Sequence, residues 1–378
     1  MLSVKSINRT ETFPKDFSTT TDLTNSADNA EPDYQLPPEV WEHIFRQLAV
    51  GHLLAVRETC RQFKLIVDQS PSLMRRFLVR VPGNASVEGE HFRAILRLKN
   101  LTSLDVRRVA INEVNLQTIS GDLPKLRNLA VTVGQIGTTY VPTFLDIIPK
   151  LENVAIWGTD CTSGNLNSAP QKQKLDFANI KNNTLTKLQF AEVSIARSDL
   201  QEYFTQSSQI REVNFFGCQF DSWGSVFELT QSLKSLEKLS ISVCRGDNGE
   251  FTLTKKFTSL KYLRFVGGNI SKASFLALLN SCPNLEQVSL MFVREYLDDA
   301  VVQVLCEKLK KMKKLSIFDC HITDASLESI REHCQALKVL RMDSCYNVST
   351  EAKNMLQNSG IEVCTYISPY DAVRLNRL

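Results

Sequence analysis

Ten cysteines and five histidines are the residues of this chain best suited to chemistry, and a metal site is the first thing they would make. A structural zinc site needs four ligands that arrive in closely spaced pairs, typically CxxC with a second CxxC or a His-x3–5-His. No CxxC pair occurs, no His pair at that spacing accompanies one, and the nearest juxtapositions are Cys320-His321 and His333-Cys334. Nucleophilic catalysis has no better footing, because there is no G-x-S-x-G elbow, no Walker loop and no G-x-G-x-x-G; Gly267-Gly268 reads as a strand-to-helix turn. No catalytic centre, metal or cofactor is therefore expected. The basic run Lys308, Lys310, Lys311, Lys313 and Lys314 reads as a solvated helix end, where lysines complement the helix dipole.

The elements that carry these residues must come from the rest of the composition. Of 378 residues, 43% are hydrophobic and 22% charged, which suits a globular protein with a sizeable core and excludes disorder throughout. Forty-four basic against 41 acidic residues leave a net charge of +3, too balanced for the broad positive field that phosphate backbones select. Nucleic acid is not an expected partner. The N-terminus lacks an apolar signal core and no run of about 18 apolar residues occurs, so neither secretion nor a membrane is expected. A cytoplasmic or nuclear site follows, with the cysteines reduced and packed as small hydrophobes and sequons such as Asn84-Ala85-Ser86 fortuitous.

Along the chain, residues 1–33 are rich in Thr, Ser, Asn and Asp with few apolar anchors, which predicts an unstructured tail. From Leu36 the pattern changes. Pro37 and Pro38 suit a helix start, and Val40, Ile44, Phe45 and Leu48 then share one face. After Gly51 a second helical stretch carries Leu53, Leu54, Val56, Cys60, Phe63, Ile66 and Val67 towards Ser70-Pro71. Two or three short helices sharing one small core are predicted over 34–77, with 78–100 as a linker and cap.

The run Leu36-Pro37-Pro38-Glu39-Val40, then Ile44-Phe45, Leu48, Leu53-Leu54 and Thr59-Cys60-Arg61-Gln62-Phe63, resembles the F-box over roughly residues 36–77. The chain departs from that family at Thr59, where Val is frequent, and at Phe63, where Trp is frequent.

A repeat follows. Leucine-type positions recur at Leu101, Leu126, Leu151, Leu185, Ile210, Leu236, Leu260, Leu285, Met312, Leu337 and Ile361, 24 to 27 residues apart except for one step of 34 after Leu151. Thr159 to Lys174 in that long step is polar and reads as a loop insertion. Each start is followed three and five residues later by further apolar positions, as in Leu188 and Phe190 or Leu263 and Phe265. Three apolar groups at that spacing turn one face of a short strand into a core, and about 15 remaining residues return as a helix. Cys218, Cys244, Cys320 and Cys345 stand three residues after the last apolar position, where a small apolar group packs in the turn. With these cysteines, residues 101–360 resemble the cysteine-containing class of leucine-rich repeats. That resemblance implies an α/β solenoid: a horseshoe with parallel strands on the concave face and helices on the convex one. Phe77 to Val81 is expected to shield its first unit and Ile361 to Tyr370 its last, with 361–378 as cap and tail.

In such a stack the residue after each third apolar position projects from the concave face. The column comprises Arg107, Thr132, Trp157, Ala191, Phe216, Ser242, Val266, Met291, Phe318 and Asp343. Large apolar groups on a concave surface suit protein interfaces. Trp157, Phe216, Val266, Met291 and Phe318 are the expected anchors, with Tyr262, Arg264, Arg341, Lys187 and Glu212 as a polar rim. The F-box resemblance implies a non-catalytic substrate receptor of a Skp-cullin-F-box ubiquitin ligase. Leu36, Pro37, Ile44, Phe45, Leu48 and Leu53 would contact the Skp-family adaptor, cullin would follow through it, and a target protein would sit on the repeats. A leucine-rich scaffold or inhibitor that binds its partner without ubiquitin transfer is the alternative reading.

Overall fold

Repeat starts and strands coincide: at each position where the apolar triplet begins, a strand opens one or two residues later, because the triplet's alternation buries one strand face while the other stays free. The structure, a computed structural model, describes residues 3–6, 36–81, 89–109, 111, 113–132, 142–158, 175–177, 179–249, 251, 253 and 255–364. The chain divides into two compact units, Met1–Arg127 and Asn128–Leu378.

The first unit comprises β1 (Ser3–Ser6), α1 (Pro38–Gln47), α2 (Val50–Thr59), α3 (Arg61–Gln69), α4 (Pro71–Met74), β2 (Phe77–Arg80), α5 (Glu90–Leu96), β3 (Ser103–Asp105) and α6 (Glu113–Asp122). β1 runs antiparallel to β2, which corrects the expected unstructured tail at these four residues; an unpaired edge of β2 offers backbone groups that a short segment can satisfy. The remainder of residues 1–33 lies outside the described residues. β2 pairs in parallel with β3, so Phe77–Arg80 does extend the strand of the first repeat. The stretch expected as one helix after Gly51 is two, α2 and α3. Cys60 between them is extended, and its Sγ accepts the Phe63 backbone N–H as the cap of α3.

The second unit opens with β4 (Asn128–Thr132), α7 (Phe144–Ile147), β5 (Asn153–Trp157), β6 (Lys187–Ala191), β7 (Ser194–Ile195) and α8 (Arg197–Gln206). It continues through β8 (Glu212–Phe216), β9 (Gln219–Ser222), α9 (Trp223–Gln231), β10 (Lys238–Ser242), β11 (Arg245–Asp247), β12 (Tyr262–Val266) and α10 (Lys272–Asn280). β13 (Gln287–Met291), α11 (Asp299–Lys308), β14 (Lys314–Phe318), α12 (Asp324–His333), β15 (Val339–Asp343), α13 (Thr350–Asn358) and β16 (Glu362–Cys364) complete it. β4, β5, β6, β8, β10, β12, β13, β14, β15 and β16 form one parallel run in which each strand pairs with the next repeat's. The register is unshifted, so Lys238 faces Glu212 on one side and Tyr262 on the other. β7, β9 and β11 make a second, smaller parallel sheet. The fold is thus an α/β solenoid of leucine-rich-repeat type. Thr159 to Lys174 and residues 365 to 370 lie outside the described residues, as does the sequon at Asn84.

The core lies between the sheet and the helices. Leu239 and Ile241, Leu263 and Phe265, and Leu315 and Ile317 are all buried there, and Trp223 of α9 is enclosed by Phe220, Phe227 and Phe265. Helices begin at side-chain caps: Ser222, Ser271, Asp298, Thr323 and Ser349 each accept a backbone N–H of the first turn. Asp299 stitches α11 to the next repeat, accepting from the Thr323 N–H at 2.8 Å, the Thr323 hydroxyl at 2.6 Å and the Ser326 hydroxyl. Three lysines of the basic run make similar ties. Lys313 pairs with Glu286 at 2.7 Å, Lys311 donates to the Asn284 side chain at 2.7 Å, and Lys310 reaches the carbonyls of Cys306 and His333.

The cysteines sit where packing was expected. Cys218, Cys244, Cys320 and Cys345 are buried at the turns after their strands, and each thiol donates weakly to the carbonyl two residues earlier, as in Cys320 to Phe318 at 3.2 Å. Burial pushes the Cys320 thiol up to about 12. Among the described residues no group of three or more His, Cys, Asp or Glu is arranged to hold a metal, and no helix is long and apolar enough to cross a membrane.

Candidate functional site

Two surfaces answer to the expected binding sites, one in each unit. In the helical module, Phe45 of α1 packs inward against Phe63 of α3 with ring centroids 5.1 Å apart, and Trp41 closes the cluster at 4.7 Å from Phe63. Phe63 therefore fills the aromatic position at which the chain departs from the family pattern. Arg57 of α2 holds Asp68 of α3 by two hydrogen bonds of 2.6 and 3.0 Å, and Arg76 donates to the carbonyls of Phe45, Arg46 and Leu48 at the end of α1. These bonds satisfy helix-end carbonyls that otherwise face solvent unpaired.

With Phe45 buried, Val40 and Ile44 of α1 and Leu36 just before it remain 41%, 39% and 41% exposed. Val40 and Ile44, four residues apart in α1, share one face, and Leu36 extends this exposed apolar strip at the helix start. Pro37 is exposed beside them and Leu48 is half-buried at the end of the helix. Two expected adaptor contacts are corrected: Phe45 and Leu53 are buried in the bundle. An amphipathic helix shows only which residues share a face, and the tight three-helix packing consumes the larger members of that face as core. Val40, absent from the expected contact set, takes its place in the exposed stripe.

On the repeat sheet, the face without helices carries the column expected to bind a partner. Trp157 and Phe216 are half-buried, with ring centroids 6.3 Å apart, and they close over Ala191 of the strand between them. Tyr262 is half-buried, Arg341 is exposed, and Lys187 pairs with Glu212 at 2.9 Å. Val266, Met291 and Phe318 differ from expectation: they form a buried cluster of their own, 7%, 4% and 8% exposed. Strands about 4.8 Å apart bring neighbouring side chains into contact, so three bulky groups in successive strands cover one another. Arg264 is buried as well, its Nη2 3.8 Å from the Met291 sulfur, and so is corrected from a rim contact to a group beneath the surface.

Sequence reasoning missed two residues on this face. Val243 and Phe292, directly after β10 and β13, are 49% and 50% exposed. A signal was present, since the equivalent positions after β8 and β12 are Gly217 and Gly267, where a bulky residue is conspicuous.

Comparison with known proteins bears on the first surface. Residues 34–80 match the F-box-like family model. A protein of Arabidopsis thaliana described as a probable disease resistance protein is 29% identical over 108 residues, which are 27% of this chain and 25% of that relative's length. By the family match, residues 34–80 of this chain are an F-box-like domain.

Proposed function

We propose that the chain is the substrate-recognition subunit of a Skp-cullin-F-box ubiquitin ligase. The observation that carries this reading is the exposed stripe of Leu36, Val40 and Ile44 within the F-box-like domain. Exposed apolar side chains grouped on and beside one helix are costly to leave in water and favour a partner that covers them. A Skp-family adaptor is the partner kind that an F-box-like domain supports, and cullin follows through it. The repeat sheet then holds a target protein. The chain itself moves no bond: it raises the effective concentration of a target lysine near the conjugating enzyme. Cytoplasm or nucleus, where such ligases meet their targets, is the proposed site of action.

Co-purification tests the reading. The intact chain is expected to bring down the Skp-family adaptor and cullin, whereas the Leu36→Ala/Ile44→Ala double variant brings down neither at equal concentration. Retention of both by the double variant overturns the assignment. A chain that binds a protein on its repeats but never cullin is a stoichiometric scaffold.

A further inference from the structure

One repeat of the solenoid carries no helix. Among the described residues between β11 and β12 none is helical, whereas α9 leads into β10 and α10 follows β12. Two phenylalanines pin that segment instead. Phe251 packs on α9 with its ring 5.6 Å from that of Phe227, over Gly224, where an added Cβ would stand 2.9 Å from Phe251 Cβ. Phe257 is buried, and its backbone N–H donates to the Ser281 carbonyl at 2.8 Å.

Beside this segment a cleft of about 440 Å³ opens between α8, the end of α9 and residues 255–259. Its volume lies within the range of small-molecule sites. Buried Leu233, Leu236 and Phe257 form the floor. Arg197, Lys234, Lys255 and Lys256 line it, against Glu228 as the one carboxylate among the described lining residues. Arg197 takes up Glu228. The three lysines are exposed, and among the described residues none of them meets a carboxylate within ion-pair distance. The neighbouring acids on these elements have other partners: Asp221 accepts the Arg197 backbone N–H at 3.3 Å, Glu202 accepts from Gln206 at 3.2 Å, and Glu237 pairs with Arg211 and Lys261.

Helix capping does not account for the lysines. Basic side chains gather at helix C-termini to meet free carbonyls. At the end of α9 those carbonyls are already met, Leu229 by the Ser232 hydroxyl at 2.6 Å and Thr230 by the Leu233 N–H at 3.2 Å. Two of the lysines are held by their backbones instead. The Lys255 carbonyl accepts from Gln231 Nε2 and the Lys234 carbonyl from the Ser259 hydroxyl, both at 2.7 Å. Anchored backbones keep the ammonium groups around one space and lower the cost of ordering them on a ligand.

We propose that this cleft binds a compact anion with two neighbouring phosphate groups, held by Lys234, Lys255 and Lys256. A phosphate carries about 1.5–2 negative charges near pH 7, so two of them balance three lysines where a single carboxylate does not. The apolar floor strengthens the attraction by lowering the local dielectric. The site belongs to the second unit and does not depend on the ligase reading.

Calorimetric titration of the full chain with inorganic pyrophosphate, in metal-free buffer at about 150 mM salt, tests this. Saturable binding at one site per chain is expected, with sulfate a poor competitor. Lys255→Ala/Lys256→Ala should bind at least about tenfold more weakly, and Lys234→Ala should also lose affinity. Lys308→Ala/Lys338→Ala removes two other exposed lysines and as much charge, and should bind like the parent. Absence of saturable binding, equal competition by sulfate, unchanged affinity in Lys255→Ala/Lys256→Ala, or an equal loss in Lys308→Ala/Lys338→Ala overturns the proposal. Phosphatidylcholine vesicles with and without phosphatidylinositol 4,5-bisphosphate separate the sources. Capture by the phosphoinositide vesicles that pyrophosphate reverses assigns the phosphates to a lipid headgroup, and pyrophosphate binding without capture assigns them to a soluble phosphorylated ligand.

Discussion

Phe292 and Phe318 meet edge to face, with ring centroids 5.0 Å apart and planes at 69°, yet Phe318 is buried while half of Phe292 faces solvent. One ring of the pair supports the sheet and the other presents a surface. Truncating Phe318 to Ala removes a buried ring between Met291 and Phe292 and is expected to cost about 3–5 kcal/mol. Urea unfolding of the variant checks this, and a loss below about 1 kcal/mol would place the ring outside the packed core.

Buried and exposed positions of the helical module separate stability from binding in the same way. Phe45→Ala or Leu53→Ala is expected to destabilise the first unit by about 2–5 kcal/mol, because both side chains are buried. Leu36→Ala and Ile44→Ala alter exposed positions and should stay within about 0.5 kcal/mol. Thermal melts compared with adaptor binding read the two effects apart; a large melting loss from Ile44→Ala would contradict its exposed position.

Asp105 supplies an acid-sensitive link in the first unit. Burial works to raise its pKa, but hydrogen bonds and charge from Arg107 and Arg80, at 2.8 and 2.7 Å, outweigh it and hold the carboxyl below its usual range. A group depressed in the folded state stabilises fully above its unfolded value of about 3.9, and that contribution fades as pH falls through the lower folded value. The urea midpoint should therefore drop as pH falls below about 4, and drop less in Asp105→Asn. Equal acid slopes in the two proteins would remove Asp105 from the account.

Asp299 joins consecutive repeats through three hydrogen bonds to Thr323 and Ser326. Asp299→Ala leaves those donors without their acceptor and is expected to cost about 1–3 kcal/mol. Hydrogen exchange at the Thr323 amide gives the local reading: protection should fall there first, whereas a change confined to distant strands would show that the bridge carries no stability.

Thiol labelling of the native chain should mark Cys60, which is exposed, and spare Cys218, Cys244, Cys282, Cys306, Cys320, Cys334 and Cys345, which are buried. Burial raises the thiols of Cys244 and Cys282, lowering the reactive thiolate fraction further. Peptide mass spectrometry after alkylation at pH 8 distinguishes the sites. Labelling of Cys320 as fast as Cys60 would contradict its packing role.

Much of this architecture was legible in the chain. Leu236, Leu239 and Ile241 fix one strand face by their spacing, and the same pattern ten times over fixes the solenoid, because strand alternation is a local property of the backbone. The cysteine turns were readable for the same reason. Leu36, Pro37 and Ile44 are exposed while Phe45 and Leu53, which share the apolar pattern, are buried, since burial depends on which helix arrives opposite.

The sequence alone determined where the repeat strands lie and which of their side chains share a face, through periodicities that need no distant contact. Tertiary structure decided the rest. Val266, Met291 and Phe318 are about 25 residues apart in sequence and become neighbours only through the register of three strands, so their mutual burial is written in no local pattern. The left-handed backbone at Val243 and Phe292 is likewise imposed by the stack: each strand end must turn to donate its N–H to the next repeat, whatever side chain stands there.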